Sequence, residues 1–290
     1  MFKKLLKYDI KSISKLWWIG AIISVAAAIA GAILIRFFEY TIIEKDTENI
    51  LLGLIAIFGL IAAMFCISAI FLAFIFTAVL VFVRFYKHFF TDEGYLTFTL
   101  PVKRSALFLS KTVNAAIWFA AHLVVIIISL LLFALLVVPP EENGFLINPI
   151  FFKYLGEFFG ELWQNVGAWL IVYVLEAILA IFTYSIFSIS LVHFCITIGS
   201  VLVKKAKLIL SIGIYYAFSS SLAAICQFGI YLFGSLMSTG MLILMENATA
   251  NQIHTAIIFL ILAVIAIIAT ITAVLYSITQ YMLDRKLNLA

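Results

Sequence analysis

Glu176 is the only Asp, Glu, Lys or Arg residue that falls clearly within a long apolar stretch of the sequence. An ionised carboxylate at the centre of a membrane span costs about 2.5–3.5 kcal/mol on insertion scales, so such groups usually face a bundle interior or a water-filled cavity. Glu176 is therefore a candidate for contacting a transported molecule or for holding an outer gate through Tyr or Ser hydroxyls. The alternative is structural: a protonated side chain hydrogen-bonded between helices, or one close enough to the surface to reach water.

The cysteine and histidine residues are not spaced for metal binding or catalysis. Cys66, Cys195 and Cys226 are widely separated, and the 4 His residues form no His-x-x-x-His or Glu-x-x-His pair. The sequence contains no Walker-type nucleotide-binding loop, no Gly-x-Ser-x-Gly elbow and no His-Glu-x-x-His helix. We therefore expect no metal site, no cofactor and no enzymatic activity in this chain.

The composition is that of an integral membrane protein. Hydrophobic residues make up 66% of the 290 and charged residues 11%, with a mean hydropathy of +1.23, whereas soluble domains are about 45–50% apolar and about 25% charged. The apolar stretches do not alternate with polar residues, which excludes transmembrane strands and predicts an all-α, six-transmembrane-helix bundle. The predicted spans are residues 16–35, 51–83, 105–138, 166–203, 208–237 and 255–283.

The distribution of charge predicts the orientation of these spans. With both termini placed in the cytoplasm, 15 of the 18 Lys and Arg residues lie on the inner side, and Arg36, Lys45 and Lys153 lie outside. Cytoplasmic loops carry such an excess of basic residues. The basic balance therefore reflects topology and an affinity for anionic lipid head groups, and gives no reason to expect nucleic-acid binding.

Two segments outside the spans have the pattern of amphipathic helices lying at the membrane surface. The first precedes the first span, in "MFKKLLKYDIKSISKLWW", although an ordinary positively charged anchor explains that segment equally well. The second covers about residues 150–164 on the outer side, where seven apolar residues share one helical face: Phe151, Phe152, Leu155, Phe158, Phe159, Leu162 and Trp163.

The polar segment "TDEGYLTFTLPVKR" separates the second span from the third on the cytoplasmic side. Asp92 and Glu93 suit a helix N-terminus, with Thr91 or Asp92 as the cap, and Pro101 requires the helix to end near Leu100. The segment therefore predicts a helix of about two turns, roughly 12 Å long. Such a helix could dock into a groove of a partner protein or could be a simple connector.

This region, from "RFYKHFF" through "SKTVNAAIW", resembles the segment after the second span in permease subunits of type-2 ATP-binding-cassette (ABC) exporters, especially the small six-span permeases of Gram-positive bacteria. The resemblance rests on Glu93 and Gly94 before a short helix, the Leu100–Val102 break, and Lys111 leading into the third span. The C-terminal "YMLDRKLNLA" is also similar to the tails of these permeases. Tyr95 stands where many members carry Thr.

The resemblance implies a role for the cytoplasmic segment 84–104. In that family the short helix is a coupling helix that sits in a cleft of the ATPase subunit. The residues implied in this coupling are Asp92, Glu93, Gly94, Tyr95, Phe98, Leu100 and Pro101.

The function implied is that of a permease subunit in a bacterial cell membrane, which exports a substrate with energy from ATP hydrolysis. ATP and Mg²⁺ would bind to separate ATPase subunits, and a second copy of the permease or a homologous permease would complete the assembly. Two alternatives remain: a membrane-embedded sensor or accessory subunit that transports nothing, and a proton-coupled secondary transporter.

Overall fold

The computed structural model describes residues 2–44, 50–99, 101–137, 149–203, 205–245 and 249–285. Over these residues the chain is helical and contains no strand, which confirms the predicted all-α class. The helices, in chain order, are α1 (Phe2–Glu44), α2 (Ile50–Phe90), α3 (Asp92–Phe98), α4 (Arg104–Val137), α5 (Pro149–Val166), α6 (Trp169–Leu202), α7 (Lys207–Met245) and α8 (Ala250–Arg285).

Six of these helices are long and apolar enough to cross a membrane, and they correspond to the six predicted spans. The qualifying stretches are Phe2–Phe37, Gly53–Phe90, Arg104–Val137, Trp169–Leu202, Lys207–Gly229 and Ala250–Arg285. Most of them have 34 residues or more, which gives roughly 50 Å of helix against about 30 Å of hydrocarbon. The chain is therefore a multi-pass membrane protein whose helices are longer than a perpendicular crossing requires.

The first helix differs in extent from the sequence-based expectation. We expected a surface helix followed by a separate span from residue 16, whereas α1 is one uninterrupted helix from Phe2 to Glu44. Lysine is a good helix former, so the basic residues before Lys15 do not interrupt the helix. The second predicted amphipathic segment, about residues 150–164, does form a helix of its own, α5, which has 18 residues and leaves most of its side chains exposed.

The chain divides into two compact units. Unit 1 comprises residues 1–84 and 113–165, and unit 2 comprises residues 85–112 and 166–290. Unit 2 contains α3, the adjoining ends of α2 and α4, and the three helices α6, α7 and α8. The short helix of interest therefore belongs to the same compact unit as α6–α8.

The core of unit 2 lies where α6 packs against α7 and α8. Phe187, Leu191, Phe194 and Cys195 of α6 are buried with Leu275 of α8. Helices α6 and α7 approach each other closely at Gly199: a Cβ atom added there would lie 2.8 Å from the backbone nitrogen of Ser211 and 2.9 Å from its Cα. Glycine at this position allows the two backbones to come together.

Candidate functional site: the α3 segment and Glu176

Helix α3 follows α2 almost directly, and a single residue separates the two helices. Of the two candidate caps, Thr91 and Asp92, Thr91 occupies the N-cap position of α3, but its hydroxyl makes no capping bond to α3. The hydroxyl donates instead to the carbonyl oxygen of Lys87 at 2.6 Å, in the last turn of α2. The turn is closed by the backbone, because the amide of Gly94 donates to the carbonyl oxygen of Thr91 at 2.7 Å.

Gly94 is buried against the end of α2. A Cβ atom at this position would lie 2.8 Å from the carbonyl oxygen of Phe89 and 3.0 Å from its carbonyl carbon, closer than side chains can approach a backbone without displacing it. Gly94 therefore sets the close packing of α3 on α2. Its role in the structure is therefore packing.

Phe98 also faces inward. Its ring packs edge-on against the ring of Phe89, with 5.6 Å between centroids, and the guanidinium of Arg104 lies over the Phe98 ring, 5.0 Å from its centroid. Arg104 in turn donates through Nη1 to the carbonyl oxygens of Leu283 at 3.0 Å and Asp284 at 2.9 Å. These carbonyls belong to the last turn of α8, where helical partners are lacking. One arginine thus connects α3, the start of α4 and the end of α8.

The outward face of α3 carries two large apolar side chains. Tyr95 is 66% exposed and Leu96 is 69% exposed, and the acidic Asp92 and Glu93 beside them are exposed as well. Pro101 lies exposed just beyond the helix, whereas Leu100 is outside the described residues. Helix α3 lies between the two spans Gly53–Phe90 and Arg104–Val137 in sequence, and among the described residues this face is an exposed apolar patch with an acidic border.

A row of polar groups runs from Glu93 towards the buried start of α4. Nζ of Lys111 lies 2.6 Å from Nδ1 of His88, and Nε2 of the same ring lies 3.6 Å from a carboxylate oxygen of Glu93. Lysine can only donate, so Nδ1 accepts and the ring hydrogen is on Nε2, facing the carboxylate. Lys111 is buried while Glu93 is exposed, so this row connects the surface of α3 with the interior of unit 2.

The end of unit 2 that carries α3 is held together by further contacts. The ring of Phe85 stacks on His193 of α6 at 3.9 Å, and Phe108 stacks on Tyr276 of α8 at 4.6 Å. Lys207, at the start of α7, donates to the carbonyl oxygen of Phe90 at 3.4 Å. Helix α3 therefore rests on a base to which α2, α4, α6, α7 and α8 all contribute.

Glu176 lies far from α3 within the same unit. It is 17 residues before His193 on α6, which corresponds to about 25 Å along the helix axis. The side chain is 6% exposed, and neither carboxylate oxygen has a hydrogen-bond partner among the described residues. Glu176 is thus buried within the apolar stretch Trp169–Leu202 and lies away from α3.

The polar residues near Glu176 bond to one another. The hydroxyl of Tyr173, one turn before Glu176 on α6, lies 2.8 Å from Nδ1 of His254 on α8. Trp169 stacks on the same imidazole at 5.6 Å and donates to Asn251 at 3.4 Å. These contacts fasten the start of α6 to the start of α8, and the hydroxyl of Tyr173 bonds to His254.

The structure therefore brings together Asp92, Glu93, Gly94, Tyr95, Phe98 and Pro101 and separates Glu176 from them. Sequence reasoning missed Leu96, the most exposed apolar residue of α3. A large apolar residue in a helix outside the spans could have indicated it as a candidate contact residue. It also missed Arg104, His88 and Lys111 as supporting groups, because their contacts join residues distant in sequence.

Within the described part of the chain, no three His, Cys, Asp or Glu side chains lie together in a group that could hold a metal ion. Comparisons of the sequence and structure with known protein families, with curated proteins and with solved structures gave no match.

Proposed function

We propose that this protein is the membrane-spanning permease subunit of an ATP-driven ABC exporter, and that the outward face of α3 is the surface on which a separate ATPase subunit docks. The observation that carries the proposal is the exposure of Tyr95 and Leu96 on a short helix that lies outside the spans. The resemblance of residues 84–104 to the coupling segment of type-2 ABC permeases supports it.

The attachment of α3 suits the transmission of force. Gly94 packs on the backbone of α2, Phe98 packs on Phe89, and Arg104 connects this contact to the end of α8. A partner that displaced α3 would therefore also displace the ends of α2, α4 and α8. Rigid-body displacement of packed helices is an established way to convert binding energy into a conformational change.

The contribution of Leu96 to the affinity for the ATPase subunit can be estimated from its exposed side chain. Full burial of a Leu side chain contributes about 1.5–3 kcal/mol, which is roughly 10- to 150-fold in a dissociation constant. A charge at position 96 would forfeit this contribution and would also have to be desolvated. Because Leu96 is exposed, its replacement should leave the fold of the permease unchanged.

The test is co-purification from native membranes. An ATPase subunit should be recovered with the unaltered protein, and Leu96→Asp should reduce its recovery at least tenfold at equal expression. The matched control is Thr99→Asp, because Thr99 is an exposed residue of the same segment and lies outside the apolar pair. Unchanged recovery with Leu96→Asp would refute α3 as the docking surface.

One observation favours a second function, that of a proton-coupled secondary transporter. Glu176 is a buried carboxylate in a span and lacks a hydrogen-bond partner among the described residues, and ionisable residues within spans commonly mark substrate or ion pathways. The two functions make opposite predictions in vesicles. An exporter depends on ATP and on the ATPase subunit, whereas a proton-coupled transporter stops when an uncoupler collapses the proton gradient.

A further inference from the structure

Helix α7 carries polar side chains along one face through the middle of the helix. Tyr216, Ser220, Gln227 and Tyr231 are separated by 4, 7 and 4 residues, which places them within about 60° of one another around an α-helix. All four are exposed, Tyr216 to 72% and Tyr231 to 76%. We call these four residues the polar stripe.

The opposite side of α7 is apolar and packs on the rest of unit 2. Ile214 and Leu222 pack against the buried core that α6 and α8 form. The ring of Phe218 packs edge-on against Phe194 of α6, with 5.8 Å between centroids. These three residues of α7 lie roughly half a turn around the helix from the polar stripe. The polar stripe therefore faces away from the core of unit 2.

Gln227 lies at the middle of α7. It is 20 residues after Lys207 and 18 before Met245, the first and last residues of the helix, or about 30 Å and 27 Å along the axis. The hydrocarbon layer of a bilayer is about 30 Å thick. A layer of this thickness reaches Gln227 wherever it is placed along α7, and a layer centred on the helix has Gln227 close to its midplane.

Contact with lipid would be costly for this face. An amide that moves from water into apolar surroundings without a compensating hydrogen bond loses roughly 2–7 kcal/mol. The neighbouring spans expose apolar side chains, as a lipid-facing surface requires; Leu175 and Ile178 of α6 and Phe259 of α8 are examples. The polar stripe is therefore covered by water or by another polar surface rather than by lipid.

The side chains of the polar stripe favour water over a closely packed helix. Interfaces between membrane helices are enriched in small residues, which let the two backbones approach closely, whereas two of the four residues here are tyrosines. The hydroxyls of Ser219, Ser220 and Ser221 donate to carbonyl oxygens of α7 itself. These hydroxyls are therefore satisfied without a neighbouring helix.

We propose that the polar stripe lines a water-filled passage through which a transported molecule crosses the membrane. The proposal rests on the transport role given under the proposed function and adds where the passage runs. The stripe contains no Asp, Glu, Lys or Arg. It therefore presents uncharged hydrogen-bond donors and acceptors to water and to the molecule that passes.

Cysteine labelling tests whether water reaches the polar stripe. Ser220→Cys and Gln227→Cys are introduced singly into the full-length protein, in a background that carries Cys66→Ala and Cys226→Ala. Cys195 is buried and remains, and it sets the background reading. The probe is a membrane-impermeant methanethiosulfonate with a quaternary ammonium group, added to both sides of native membranes. It reacts with a thiolate, which forms only where water reaches the thiol.

The matched control is Ile225→Cys. Ile225 is 68% exposed and lies about 3 Å from Gln227 along the axis, but about 160° around the helix. Both stripe variants should be labelled at least about tenfold faster than the control, because the control thiol faces lipid and stays protonated. Equal labelling at all three positions, or no labelling of either stripe variant, would overturn the proposal.

A further readout identifies a second copy of the chain as the covering surface. In that case Gln227→Cys would resist the reagent and form a disulfide-linked dimer on oxidation, which would overturn the passage. Labelling requires neither ATP nor an ATPase subunit. Failed labelling with normal recovery of the ATPase subunit would therefore refute the passage alone, whereas rapid labelling of the stripe without any ATPase subunit would retain the passage and refute the exporter.

Discussion

The replacement of Gly94 by alanine is the sharpest test of how α3 is held. The added Cβ atom would lie 2.8 Å from the carbonyl oxygen of Phe89 and 3.0 Å from its carbonyl carbon. Both atoms belong to the backbone of the last turn of α2, so neither can move aside as the end of a flexible side chain would. Helix α3 must therefore shift away from α2, or the last turn of α2 must open.

The cost can be estimated from two opposing effects. Overpacking by one methyl group in a well-packed site costs about 1–3 kcal/mol, whereas alanine in a helix is favoured over glycine by roughly 0.5–1 kcal/mol. Gly94→Ala should therefore change the free energy of unfolding by between about zero and 2.5 kcal/mol in the destabilising direction. The displacement of α3 should affect function more than stability, because the face formed by Tyr95 and Leu96 moves with the helix.

Two measurements are needed. The first is thermal unfolding in detergent, where Gly94→Ala should lower the melting temperature while the control Gly213→Ala raises it slightly. Gly213 is a suitable control because it lies within α7 and a Cβ atom there would meet nothing within 4 Å. The second is the recovery of the ATPase subunit and its stimulated ATP hydrolysis, which Gly94→Ala should reduce and Gly213→Ala should not. A Gly94→Ala protein as stable and as fully coupled as the unaltered protein would refute the packing role.

Three further replacements have expected outcomes. Gly199→Ala places a Cβ atom against the backbone and hydroxyl of Ser211 and should lower the melting temperature more than Gly94→Ala does. An equal or smaller fall in melting temperature would mean that α6 and α7 separate easily. Arg104→Gln removes both hydrogen bonds to the end of α8 and should lower the free energy of unfolding by about 1–2 kcal/mol. The control Arg285→Gln should lower it little. Equal losses of stability in a thermal unfolding assay would contradict the connecting role of Arg104. Glu176→Gln keeps the shape of the side chain and removes the carboxylate, so it should reduce export at unchanged stability if the carboxylate handles cargo. Transport at the normal rate by both Glu176→Gln and Glu176→Ala would exclude that role. A loss of stability in the alanine variant alone would identify Glu176 as a packing residue.

The spans could be predicted because long apolar stretches in this chain have few other ways to satisfy both the bilayer and their backbone hydrogen bonds. The residues at which the helices begin and end could not be predicted, because composition does not mark where a helix leaves the membrane. Helix α1 shows this: lysines before residue 16 suggested a separate surface helix, yet lysine is compatible with a helix that continues. The same holds for α2, predicted over 51–83 and observed from Ile50 to Phe90.

The position of α3 followed from Asp92, Glu93 and Pro101, but the division of its residues into inner and outer faces did not. Phe98 and Leu96 are both apolar, and in a sequence so rich in apolar residues nothing distinguishes the side chain that packs on Phe89 from the one that remains exposed. The contacts of Arg104 with Leu283 and Asp284 span about 180 residues of sequence and leave no local pattern. Glu176 was recognisable because a charged residue in a span contrasts with its surroundings, whereas the lack of a hydrogen-bond partner depends on neighbouring helices.

Under the proposed function, the two faces of α3 have separate roles, one in docking and one in transmission. Tyr95 and Leu96 are exposed, so replacing Leu96 with Asp should weaken association with the proposed ATPase subunit while leaving unit 2 intact. Arg104 faces inward and joins α3 to α8, so Arg104→Gln should leave the docking face in place and weaken the connection behind it. The first variant should lose the partner, whereas the second should retain the partner and lose the coupling of ATP hydrolysis to transport. If α3 were a simple connector, neither variant would distinguish association from coupling, because a connector has no docking face to lose and no displacement to transmit.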